Sequence, residues 1–187
     1  MRKWSKGFFI ALIALLMTVL PVAVVSAAGN NRSYQYVIGT GPLCELPLPD
    51  PCPTIAMAKN GDTVAVTGQG TFGTRPRSAT GGGTFVHRHS DGTLVANGTW
   101  TATRLLGFKS YGNDPANLPP NFVGGLALMQ VRLYVGGNLV ATGILQIDCE
   151  IGKVPAGHHE GIRLVVQGTQ FNFNHKVSGL TLFILVS

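Results

Sequence analysis

The chain has 187 residues, 45% of them hydrophobic and 12% charged, with 25 Gly, 11 Pro and a formal net charge of +6. That much apolar residue with so little charge excludes an intrinsically disordered chain and bounds the answer to one modest folded domain. The positive charge is spread without a Lys/Arg run or an aromatic-interleaved basic stripe, so nucleic acid is rejected as a partner.

Residues 1–28 read as a secretory signal peptide: Arg2, Lys3 and Lys6 form a basic start, an apolar stretch follows over residues 8–25, and Ser26-Ala27-Ala28 offers a small-residue cleavage site. Three basic residues leave with it, and the net charge falls to +3. The sequence therefore predicts a secreted, extracellular protein whose mature chain, residues 29–187, has no membrane span, because the apolar run over 180–186 is far too short to cross.

Residues 29–187 are rich in Gly, Thr and Val with turn residues at short intervals, and alternation of apolar and polar positions recurs where helical spacing does not. This predicts an all-β, antiparallel domain of about nine or ten strands built from consecutive hairpins. A small β-barrel is the first expectation, with a two-sheet β-sandwich or jelly roll as the alternative, because an open sheet of this size would leave its apolar face in water.

Turn length sets which side chains share a face. A two-residue Asn60-Gly61 turn pairs Met57 with Val64 and Ile55 with Val66. An Asp91-Gly92 turn sets Phe85 opposite Gly98 and Trp100 opposite Gly83, so that each ring covers a cross-strand glycine. A three-residue Gly136-Gly137-Asn138 loop aligns Met129, Val131, Leu133 and Val135 with Leu139, Ala141, Leu145, Ile147 and Cys149. Gln167-Gly168 pairs Leu164 with Phe171, and Ser178-Gly179 pairs Phe173 with Ile184, making a three-stranded meander. Residues 41–53, 73–82 and 111–125 read as long loops.

Two of the three cysteines, Cys44 and Cys52, flank a proline-rich segment without strand pattern, and a disulfide between them leaves Cys149 a buried thiol beside Ile147. The competing arrangement ties one loop cysteine to Cys149.

Motifs with a defined chemistry are few. Residues 68–73 spell GxGxxG, but Gly73-Thr74-Arg75-Pro76 follows, so no helix N-terminus is there to hold a pyrophosphate. His87 and His89, two apart on a strand, share the face of Phe85 and Trp100, and His175 is expected inside or at a rim beside Phe173. Asp148 and Glu150 read as a solvated face.

Imidazoles at that spacing suit a metal ion, and His158-His159-Glu160 offers further donors. Gly81-x5-His87-x-His89 resembles the opening of the first motif of the cupin family, and Val154-Pro155-Ala156-Gly157-His158-His159-Glu160 resembles the start of the second. The resemblance implies a jelly-roll barrel with a divalent metal held by His and Glu. The chain departs from that pattern where Thr93 or Leu94 stands for the Glu after the histidine pair, and where Glu160 stands for the second-motif His.

Two functional readings result. The first is a secreted non-catalytic β-domain, without a cofactor, that binds a small molecule or extracellular surface component through His87, His89, Trp100 and His175, or acts structurally. The alternative is a cupin-like metal-dependent or acid/base enzyme using His87, His89, His158, His159 and Glu160.

Overall fold

A computed structural model describes residues 31–187, and the signal-peptide expectation for 1–28 lies outside the described residues. The described chain is nearly all antiparallel strand: β1 (Ser33–Ile38), β2 (Thr54–Met57), β3 (Thr63–Thr74), β4 (Arg77–Arg88), β5 (Leu94–Asn113), β6 (Phe122–Val135), β7 (Asn138–Cys149), β8 (Gly161–Val166), β9 (Asn172–Phe173), β10 (His175–Ser178) and β11 (Thr181–Leu185). One short 3-10 turn, Gly41–Glu45, opens on Pro42. All eleven strands belong to one sheet rather than to the two facing sheets of a sandwich.

The sheet closes on itself. β1, β3, β4, β5, β6 and β11 form a hydrogen-bonded ring of six strands. The remaining strands continue from its edges: β2 and β10 from β3, and β7, β8 and β9 from β6. β9 pairs with β8 while β10 pairs with β2, and only Asn174 separates them, so one short segment draws the two free ends of the sheet together. Closure leaves few open edges and one apolar interior. That interior holds Tyr34, Tyr36, Val64, Phe85, Met129, Val131, Leu145, Ile147, Ile162 and Phe183, all buried. A second, smaller cluster of Val37, Leu43 and Leu182 lies under the proline-rich segment.

Two glycine-lined rows set the position of Trp100. Phe85 faces Gly98, and Trp100 faces Gly83, as the Asp91-Gly92 turn predicts. Gly83 in turn faces Gly68. The indole reaches across both: a Cβ on Gly68 would stand 2.5 Å from its ring, and its N–H donates to Thr67 O at 3.0 Å. β5 is 20 residues long and bends around the interior at irregularities near Ala102/Arg104, Leu105/Gly107 and Ser110/Gly112, the usual device for curving a long strand.

Elsewhere the registers differ from expectation for local reasons. Ala58 N–H donates to Asp62 O at 2.8 Å, so the first turn is wider than Asn60-Gly61 alone and the strands slip by one residue: Ala56 faces Val64 and Thr54 faces Val66. Thr54 and Ala56 therefore go inside, and the Thr54 hydroxyl donates to Leu180 O at 3.0 Å. Around Gly136-Gly137, both with positive φ, the loop is two residues long, and a bulge between Leu133 and Tyr134 restores the expected pairing of Met129 with Leu145 and Leu133 with Ala141. Leu139 lies before that correction and is exposed.

Three expectations fail outright. The loop after β8 is wider than Gln167-Gly168, since Val166 N–H donates to Phe171 O, and Leu164 faces Phe173 instead of Phe171. The meander does not form, because β11 pairs with β1 and β6 and leaves β10 to β2. Residues 73–82 are not a long loop: β3 and β4 run through them to a tight turn at Arg75-Pro76. Cys44 and Cys52 are bonded, with Cα atoms 5.3 Å apart, and Cys149 is free and buried.

Candidate functional site

The wide β2–β3 turn carries Asp62 to the end of β4, where it is buried and meets both histidines. His87 Nε2 lies 3.4 Å from Asp62 Oδ2, and His89 Nδ1 lies 3.4 Å from Asp62 Oδ1. Asp62 N–H is received by Asn60 Oδ1 at 3.2 Å, which shapes the turn. Burial opposes ionisation of Asp62, but hydrogen bonds involving Asn60, His89 and His87 outweigh it and hold the carboxyl below the usual carboxylate range. His87 is 6% exposed, whereas the His89 side chain is 55% exposed, so the two imidazoles share a carboxylate but not an environment.

His87 forms part of the wall of a cavity of about 220 Å³ that opens to solvent. Val64, Phe85, Ala96, Leu133, Val135, Val140, Ala141, Leu164, Val166, Phe171 and Phe173 supply the apolar lining, and Thr169 is the second polar residue on it. The histidine ring meets the edges or faces of Phe171 and Phe173 at centroid distances of 4.9 and 5.1 Å, near perpendicular in both cases. The Thr169 hydroxyl is occupied: it donates to Val166 O at 3.0 Å and accepts from Phe171 N–H at 3.1 Å. Trp100 is outside this cavity. It borders a gap of about 10 Å³ beneath, which shares Phe85, Leu133 and Leu164 with the larger space.

The other expected site residues lie elsewhere. His175 is exposed and faces Met57, because the break at Asn174 turns it away from the side on which Phe173 is buried. His158 bonds Asp148 through Nδ1 at 3.0 Å, His159 is exposed with Nδ1 3.5 Å from Glu150 Oε1, and Glu160 turns inward to Thr181 and to Glu150 N–H. His87, His89 and Glu160 thus sit with different partners. Among the described residues, no group of three or more His, Cys, Asp or Glu is arranged to hold a metal ion. The cupin-like arrangement does not assemble here.

A second polar centre surrounds Asp148, which is 1% exposed rather than solvated, because the last residues of β7 are covered on both faces. Its Oδ1 accepts from Tyr111 OH at 3.0 Å, and its Oδ2 accepts from Lys176 Nζ at 2.8 Å and from His158 Nδ1. Since the Tyr111 proton points to Asp148, the 2.7 Å contact between Tyr111 O and His158 Nδ1 also needs the imidazole proton on Nδ1. Burial lowers the Lys176 ammonium, against the pull of Asp148, and burial raises the Tyr111 phenol, with Asp148 adding to it.

Glu160 adjoins this centre. The Thr181 hydroxyl, a donor placed 2.9 Å from Asp148 O and 2.7 Å from Glu160 Oε1, links the two residues, and Thr181 N–H donates to the same Glu160 oxygen. Desolvation pushes the Glu160 carboxyl up to about 7, against the hydrogen bonds from Glu150 and Thr181. Cys149, between Asp148 and Glu150, has its thiol pushed up first by burial and then by Glu160, so it is a poor nucleophile.

No family model, curated protein or solved structure matches the chain. Asp62 is the residue of this candidate site that reading the sequence missed. The signal was its place two residues after Asn60 in a turn leading into β3, which becomes visible only when that turn is widened and β3 is paired with β4.

Proposed function

We propose that the chain is a secreted, non-catalytic binding domain for a small, mainly apolar molecule, taken up in the cavity beside His87. One observation carries the reading: an apolar cavity of about 220 Å³ opens between the ends of several strands with a buried imidazole in its wall. An apolar cavity of roughly 150 Å³ holds benzene, so this one suits a molecule of one or two rings. Apolar walls with few polar groups are the ordinary composition of such sites. Extracellular residence rests on the basic and apolar start of the chain, and the Cys44–Cys52 disulfide agrees with an oxidising compartment.

The test is calorimetric titration of residues 29–187 with 2-naphthol and with 2-methoxynaphthalene. Saturable one-to-one binding of at least one, abolished by Ala141→Phe, which places a ring in the cavity wall, is the expected result. A folded protein that binds neither overturns the reading.

A further inference from the structure

The cavity beside His87 is lined by apolar residues except His87 itself and Thr169. Nε2 of His87 faces Asp62 Oδ2, and no described residue hydrogen-bonds Nδ1. Thr169, the other polar lining residue, has its hydroxyl committed to Val166 O and Phe171 N–H. Nδ1 is therefore the one side-chain hydrogen-bonding position of the wall without a partner among the described residues, on a residue 6% exposed. A molecule taken up in the cavity is the partner left for it.

The chemistry of that partner follows from Asp62. A carboxylate only accepts, so the nitrogen facing it must carry the proton, and in a neutral imidazole the other nitrogen is then an acceptor. His89 Nδ1 stands 3.4 Å from each Asp62 oxygen, so the carboxylate is shared between the two imidazoles. An acceptor at Nδ1 calls for a donor on the ligand. Ethers, esters and plain hydrocarbons offer none.

We propose that the cavity recognises a hydroxyl-bearing apolar molecule, a phenol or alcohol, whose O–H donates to Nδ1 of His87, with Asp62 as the positioning residue that fixes the imidazole tautomer. This rests on the binding function proposed above and names the ligand class for it. Phe171 and Phe173, stacked on each other and both packed edge-on against the ring, keep the imidazole in place.

The experiment compares 2-naphthol with its methyl ether, 2-methoxynaphthalene, at about pH 8.5, where an imidazole is ordinarily neutral. The two differ in donor capacity while sharing the same ring system. In the unaltered protein the ratio of their dissociation constants should favour 2-naphthol, and His87→Leu should reduce that ratio by about fivefold while both compounds still bind, the size expected for one net hydrogen bond. Nitrogen NMR of the His87 ring should show Nε2 protonated and Nδ1 bare, with the Nδ1 resonance moved by 2-naphthol and unmoved by the ether. If neither compound binds a folded protein, the binding function itself is lost. If both bind but the ratio is the same in His87→Leu, or the proton is found on Nδ1, the hydroxyl recognition is overturned while the cavity's role stands.

Discussion

Two imidazole–carboxylate pairs, each built on a buried aspartate, have opposite character. At His87 and Asp62 the imidazole has one nitrogen engaged and the other open on an apolar cavity. At His158 and Asp148 the carboxylate is saturated by a phenol, an ammonium and an imidazole. The same two residue types hold a loop in one place and face a ligand-sized space in the other. What separates them is the carboxylate: Asp148 is held by three different donors, whereas Asp62 is shared between two imidazoles, one of which lines a cavity.

The largest test of that distinction is Asp148→Ala. It strands the Lys176 ammonium, whose side chain is 7% exposed, and removes the acceptor of Tyr111 and His158. Breaking a buried pair from one side costs about 3–5 kcal/mol, so chemical denaturation should show a loss of that order. Asp62→Ala should cost far less, because His89 is exposed and His87 retains its packing against Phe171 and Phe173. Equal losses at the two aspartates would erase the contrast.

The histidine pair at the end of β4 was legible because a bulge between His87 and Arg88 returns the β4–β5 pairing to the register that the Asp91-Gly92 turn predicts, keeping Phe85, His87 and Trp100 on one face. The Asp148 centre was not. Alternation along β7 correctly puts Ile147 inside, but it also puts Asp148 in solvent, and only the return of the chain through β10 and β11 brings Lys176 and Thr181 to cover it. Contacts between residues 28 or 33 positions apart leave no trace in local periodicity. The Asn60-Gly61 turn failed for a different reason: a strong two-residue turn signal was overridden by Asp62, whose backbone closes a wider loop and whose side chain serves the histidines. Local turn chemistry gave way where a polar site needed a longer turn.

Glu160 sharpens the comparison through pH. Its carboxyl is raised from 4.5 to about 7 in the folded chain, so between those values the folded state binds more protons than the unfolded one. Stability must then fall as pH rises through that window, being fully present below the unfolded value and lost above about 7. The effect is at most about 3 kcal/mol. Thermal or urea unfolding at pH 5 and pH 7.5 should show the earlier value higher, and Glu160→Gln should flatten the profile. An unchanged slope in that variant would place the titrating group elsewhere.

The proline-rich segment closed by Cys44 and Cys52 covers the small cluster around Leu43, on the side of Glu160 rather than that of His87. Cys52→Ser should cost about 2.5 kcal/mol on the chain-entropy estimate for so short a loop. Because Leu43 and Cys52 pack in that cluster and not in the cavity wall, affinity for 2-naphthol should be unchanged in the folded fraction. A parallel loss of affinity would show the two ends of the molecule to be coupled.

His87→Leu should have the smallest effect on stability and one of the largest on recognition. Leucine fills much of the same space against Phe171 and Phe173, and the substitution removes a polar ring whose Nδ1 had no protein partner to lose. What disappears is the contact with Asp62, which keeps His89 and Asn60 as neighbours. Leaving one oxygen of a buried carboxylate without its donor costs about 1–3 kcal/mol in the general case, and because His89 remains beside it the change in unfolding free energy should lie at the lower end, about 1 kcal/mol. A loss approaching that of Asp148→Ala would mean that the imidazole holds the fold together, as His158 helps to do. Near-neutral stability, with the preference for a hydroxyl gone, would mean that it stands in the wall for the ligand.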